Sequence, residues 1–210
     1  LIPDAFLGGA LEPWRRLLEV GAGNGDIFGA LRAACVVAWG IEPGVDAEAH
    51  TVDEVLVGDL RDNPLADERF DVVRLYHVLE HIPDPVDALE RAAALLRPGG
   101  RIVVGVPNFA SAGRRAFGAS WDGLELPRHL HHFTRQTLER VARAADIRVV
   151  SSRTVALFGV LPGTLDARAN GGARQSGWGN TLPVRMAVYP LELALAGIGL
   201  GEGLMLVLRR

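Results

Sequence analysis

Two rhythms alternate along the chain. Short, nearly continuous apolar runs at Leu17–Val20, Cys35–Ile41, Val55–Val57, Phe70–Tyr76 and Arg101–Val106 read as strands buried on both faces. Between them lie segments with helical spacing, at 26–34, 46–51 and 87–96; the last puts Leu89, Ala92, Ala93 and Leu96 on one side. Arg97-Pro98-Gly99-Gly100 then stops that helix and turns the chain. This alternation predicts a doubly wound, mostly parallel α/β sheet. Right-handed crossovers place the loops that follow the strands along one edge of such a sheet.

The first of those loops carries the most specific pattern. Leu17-Leu18-Glu19-Val20 runs into Gly21, Gly23 and Gly25 at alternate positions, where a backbone without Cβ atoms turns sharply and lets a ligand approach. A dinucleotide fingerprint would put its third glycine at position 26, which is Asp26. An acid is poorly placed against a pyrophosphate at a helix N-terminus, which disfavours a nicotinamide oxidoreductase. The acid that ends the second strand, Glu42, stands where ribose hydroxyls are held in such sheets, or else caps the next helix. Asp59 and Leu60, after the third strand, suit an adenine amino group and ring; a turn aspartate is the alternative. The glycines, Glu42, Asp59 and His77 should border one crevice.

Composition narrows the class. The 210 residues, 49% hydrophobic, suit one globular domain with a sizeable core. A net charge of −3 gives no reason to expect a nucleic-acid surface. Every base is arginine, and with the many Ala, Gly, Leu and Val this fits a GC-rich bacterial genome. The single cysteine, Cys35, excludes an internal disulfide and a cysteine-rich metal site. No signal peptide opens the sequence, so a cytoplasmic protein is expected, with residues 1–16 as a lead-in to a domain at 17–210.

The Glu-x-Gly-x-Gly-x-Gly pattern resembles motif I of class I S-adenosylmethionine-dependent methyltransferases. Further along, Phe70–Pro85, Leu96–Gly100 and Pro127-Arg128-His129-Leu130-His131-His132-Phe133-Thr134 are similar to successive motifs of the small-molecule subgroup typified by ubiquinone biosynthesis. The resemblance implies a Rossmann-like seven-stranded sheet, its last strand antiparallel, completed by strands at 149–156 and 203–208. It implies S-adenosyl-L-methionine as cofactor and S-adenosyl-L-homocysteine as product. Glu19, Gly21, Ala22, Gly23 and Gly25 would meet the methionine end. Glu42 would hold the ribose, Asp59 and Leu60 the adenine, and Tyr76 and His77 the wall beneath the methyl donor. At Ala22 many relatives have cysteine, and only backbone is needed there. The Asn/Asp-Pro-Pro-aromatic box of adenine-N6 methyltransferases is missing after the fourth strand, which runs into Tyr76-His77-Val78.

The acceptor side is read less sharply. His129, His131 and His132 admit three roles: backbone-bonded loop residues before a helix capped by Thr134, a general base at His129 or His132, or a metal site. The last needs outside carboxylates, because the three lie too close in the chain to surround an ion. Residues 107–133 should form a flap, with Arg114 and Arg115 facing an anionic group or solvent. Residues 162–202 form an insert: a Gly-, Asn- and Ser-rich loop, then an apolar helix at 182–200. Arg185, Pro190 and Glu192 keep that helix short of the ~20 apolar residues of a membrane span. It would line an apolar or lipidic acceptor pocket, pair in a homodimer, or touch a membrane surface. The expectation is a methyltransferase acting on a small molecule, most readily at oxygen; a non-catalytic cofactor-binding scaffold with the same fold is the alternative.

Overall fold

The computed structural model describes residues 16–23, 37–44, 55–157, 160–169 and 181–210. Gly25, Asp26, Cys35, the two helices expected at 26–34 and 46–51 and most of the lead-in lie outside the described residues. The strands are β1 (Arg16–Val20), β2 (Val37–Glu42), β3 (Val55–Val57), β4 (Phe70–Tyr76), β5 (Leu96–Pro107), β6 (Arg148–Val155) and β7 (Gly203–Arg209). They make one sheet in the order β3-β2-β1-β4-β5-β7-β6. β7 runs antiparallel to both its neighbours, while β1 to β5 pair in parallel. This is the doubly wound arrangement with an antiparallel last strand, and it puts the carboxyl ends of β1 to β4 side by side.

The sheet has apolar residues on both faces. Leu18, Val20, Ile41, Val73, Leu75 and Ile102 belong to the larger core cluster, and Leu17, Ala38, Val72 and Val103 to the smaller one opposite. That division follows from the alternation of side chains along each strand. The described helices are α1 (Pro85–Ala94), α2 (Ala112–Phe117), α3 (Arg135–Ala144), α4 (Val160–Ala169) and α5 (Leu182–Gly197).

Helix α1 starts where its chemistry directs. The Asp84 carboxylate accepts the amides of Val86 and Asp87, each at 3.1 Å, and Pro85 occupies the first turn. Ala88, Leu89, Ala92 and Ala93 are buried beneath it. Thr134 caps α3 through a capping box with Thr137, as the sequence indicates.

Three expectations change. Residues 97–100 join β5 instead of forming a turn, and Leu96, expected to end the helix, opens the strand, because Leu96 pairs with Phe70 ahead of the main register. The flap contains a helix, α2, capped by Ser111. Residues 160–169, read in part as loop, are helical in α4.

Candidate functional site

The loops after β1, β2, β3 and β4 enclose a cavity of about 550 Å³, within the range of small-molecule sites. Gly21, Gly23, Glu42, Asp59, Leu60 and His77 all border it. They come from four separate strand ends and are brought together only by the parallel sheet.

The first loop is built for close approach. Gly21 has φ +70, and a Cβ there would stand 2.4 Å from Val78 Cγ2 in the loop after β4. Gly23 has φ +56, and a Cβ there would meet nothing within 4 Å, so its backbone faces open space. Glu42 holds this loop from the neighbouring strand: Oε2 accepts the Gly23 amide at 2.9 Å and Oε1 accepts the Gly44 amide at 3.3 Å. At the next strand end, Asp59 Oδ1 accepts the amides of Arg61 (2.6 Å) and Asp62 (2.8 Å). The Asp62 amide is the main reason the Asp59 carboxyl lies below its ordinary value.

Not all the residues expected there reach the cavity. Glu19, Ala22 and Tyr76 are absent from its lining. Glu19 shares its face of β1 with Leu17, opposite Val20, and lies directly across from Arg74 of β4. Arg74 Nη1 donates to Glu19 Oε1 at 2.5 Å with both side chains buried, and the guanidinium sits 4.2 Å from the Tyr76 ring centroid. Burial pushes the Glu19 carboxyl up to about 7, and the Arg74 charge opposes that rise. Burial likewise raises the Tyr76 phenol. Glu19 is therefore a sheet-embedded partner of Arg74, beneath the first loop.

The histidines divide in the same way. His129 is 4% exposed, and its Nδ1 donates to the Gly123 carbonyl at 2.9 Å. Burial holds its imidazole below the ordinary value. His132 Nε2 donates to the Leu124 carbonyl at 3.0 Å, and His131 Nε2 to that of Pro83 at 3.2 Å. A carbonyl oxygen only accepts, so each of these nitrogens carries the proton. None of the three borders the cavity; His77 and His81 do. His77, at φ 56, places Nδ1 3.1 Å from Glu80 Oε1. His81 donates from Nδ1 to the Arg128 carbonyl at 3.0 Å, which leaves its Nε2 as the basic nitrogen.

Among the described residues, the metal-capable group is Glu80, His81 and His129, with one donor atom from each lying within 4.8 Å of the others. The sequence trio His129, His131 and His132 is not the set that converges. Neighbouring ligands on one zinc ion stand about 3.3 Å apart, given bonds of about 2.0–2.1 Å, so this group would have to close up to hold a metal.

Sequence reasoning missed the cationic rim. Arg61, Arg91 and Arg128 line the cavity. Asp87 binds the first two: Arg91 Nε donates to both its oxygens at 2.9 Å, and Arg61 Nε reaches Oδ2 at 3.4 Å. The i,i+4 spacing of Asp87 and Arg91 was a visible signal for part of this. On the flap, buried Glu202 accepts from Ser111 Oγ (2.9 Å), the Gly113 amide (2.8 Å) and the Trp121 indole (2.7 Å). One carboxylate at the start of β7 thus anchors α2 and the aromatic that follows it.

With the sheet order, glycine loop and strand-end carboxylates established, the comparisons agree on a class. Residues 4–152 match the family model described as a methyltransferase domain, so the chain belongs to that family, the class I S-adenosylmethionine-dependent methyltransferases. Among its relatives is the ubiquinone biosynthesis O-methyltransferase of Haemophilus ducreyi, 34% identical over 108 residues, covering 45% of this chain and 46% of the relative. Another is an uncharacterized 37.1 kDa protein in transposon Tn4556 of Streptomyces fradiae, 32% identical over 144 residues, covering 63% of this chain and 39% of that protein. The chain thus spans less than half the length of these two relatives. Its fold is also that of a methyltransferase from Thermotoga maritima described as a possible histamine N-methyltransferase (TM-score 0.63, 23% identity, 98% of this chain and 88% of that one). The neocarzinostatin-pathway O-methyltransferase NcsB1, solved with S-adenosylmethionine and a naphthoic acid, matches at TM-score 0.55 with 18% identity, over 92% of this chain and 48% of that one.

Proposed function

We infer that this chain transfers a methyl group from S-adenosylmethionine to a small-molecule acceptor, at oxygen. The observation that carries the reading is Glu42, an acid at the end of β2 that borders the cavity and reaches across to the glycine loop of β1. The donor set fits this cofactor. Gly23 gives an open backbone cradle, and the acids Glu42 and Asp59 suit hydroxyl and amino donors.

Bound here, the cofactor supplies an electrophilic methyl group on a good leaving group. The protein's part is to bind, orient and exclude water. Glu42 keeps lone pairs for two ribose hydroxyls beyond those used on Gly23 and Gly44. Asp59 Oδ2 would hold the adenine amino group, with Leu60 against the ring, and His77 would close the wall at the methyl end. Of the histidines, His81 is the one placed to accept the acceptor's proton, at Nε2; His129 and His132 shape the segment behind it. The ubiquinone-type relatives favour oxygen as the attacking atom.

Calorimetric titration with S-adenosylhomocysteine tests the reading. Wild type should bind at micromolar concentration, with NAD as a silent control. Glu42→Ala should bind at least tenfold more weakly, equivalent to ~1.4 kcal/mol, while Glu42→Gln separates the lost charge from a loosened loop. Folded wild-type protein that binds neither ligand would hand the site to the scaffold alternative.

A further inference from the structure

Helix α5 is built inside out. Every exposed position along it is apolar: Leu182, Met186, Leu191 and Leu193 are 65%, 58%, 54% and 50% exposed, and the rest are Pro, Ala or Gly. Ile198, one residue beyond its end, is 71% exposed. Its two charged residues face the other way. Glu192 is 1% exposed and accepts the Leu161 amide of α4 at 3.3 Å, and Arg185 is half-buried within its electrostatic reach. A surface helix in water normally has the opposite arrangement. The inner face is already used, since α5 packs on α4 and on β6, where Thr154 Oγ1 donates to the Ala196 carbonyl at 2.8 Å. The outer face is a continuous apolar strip one helix long.

We propose that this outer face of α5 is a homodimer interface, packed against α5 of a second copy about a two-fold axis. Charge decides between the possible occupants. A helix lying on a membrane draws on Lys or Arg at its polar edge and on Trp or Tyr at the interface. On α5 the single arginine and the single tyrosine, Arg185 and Tyr189, are both off the exposed face, and the chain has no lysine and a net charge of −3. A second copy needs no cation and presents the same strip. Its large side chains alternate with Ala187, Pro190 and Ala194, so ridges on one copy can enter grooves on the other. The five large side chains expose roughly 500 Å² per copy over a half-circle arc of α5, so a pairing that covers the whole arc would remove about 1,000 Å² from water, the size at which specific interfaces begin.

Sedimentation equilibrium of the chain, with and without S-adenosylhomocysteine, tests this. The wild type should sediment at twice the chain mass at micromolar concentration. Met186→Glu with Leu193→Glu should weaken self-association at least 100-fold, leave the circular dichroism spectrum unchanged, and bring the thermal midpoint to that of wild type diluted until it is monomeric. Both substitutions sit on the solvent side, so loss of folding would show separately in those two readouts. A monomeric wild type at 100-fold higher concentration would overturn the proposal, as would a dimer indifferent to the double substitution. Co-sedimentation of a monomeric wild type with anionic phospholipid vesicles, lost in the variant, would reassign the face to a membrane. Monomeric protein whose α5 amides are protected equally in wild type and variant would point to cover from the chain itself.

Discussion

Helices α1 and α5 solve the same problem in opposite ways. α1 buries Ala88, Leu89, Ala92 and Ala93 against the sheet and turns Glu90 and Arg91 to water. α5 keeps Glu192 inside and gives Leu182, Met186, Leu191 and Leu193 to the surface. The first helix finishes its folding within one chain and forms a wall of the cavity through Asp87, Ala88 and Arg91. The second leaves its outer face uncovered by the described residues. Apolar content alone therefore says little about burial; the position of a helix's charges says which side of it is already occupied.

The largest expected effect tests that contrast directly. Leu89→Ala empties a fully buried position and should cost roughly 2–5 kcal/mol in urea unfolding, whereas Leu193→Ala should stay within about 0.5 kcal/mol for the monomer. Equal costs at both positions would end the comparison. The next effect concerns the inward charge of α5. Burial raises the Glu192 carboxyl from 4.5 to about 7. A raised folded-state value means its contribution is whole below about 4.5 and is lost as pH rises through about 7. Between about pH 5 and pH 8, wild type should lose on the order of 1 kcal/mol more stability than Glu192→Gln. Parallel pH profiles would mean the carboxyl titrates normally and the inside-out description is too strong. The smallest effect is at the start of α1: Asp84→Ala removes the acceptor for two amides and should cost about 1 kcal/mol, read as a lower thermal midpoint.

What the sequence showed and what it hid follow one physical line. Strands β3 and β4 fall where their apolar runs lie, and Thr134 caps α3 as its side chain suggests. These depend on residues close in the chain. The missed helices depend on distant ones. α4 contains Pro162 and Gly163, which argue locally against a helix. It forms where Glu192 accepts the Leu161 amide and where a Cβ at Gly163 would come within 3.0 Å of Asp122. At the site, positions at strand ends were legible because a parallel sheet aligns them. The direction of a side chain was not. Glu19 and the His129–His132 group carry suitable chemistry, and their partners Arg74, Gly123 and Leu124 turn them away from the cavity. The Glu19–Arg74 pair joins two strands 55 residues apart, while the histidines' partners lie six and eight residues back, where the turn of the flap sets the direction.

The reversal of β7 has a practical side. β1 to β5 all point their carboxyl ends toward the crevice, and β7 runs the other way, so Arg209 leaves the sheet at the opposite edge. Arg210 lies there beside Asp146 and Ile147. A fluorophore, biotin or surface tether attached at that residue would leave the mouth of the crevice open, and titrations on immobilised protein would read the same site as titrations in free solution.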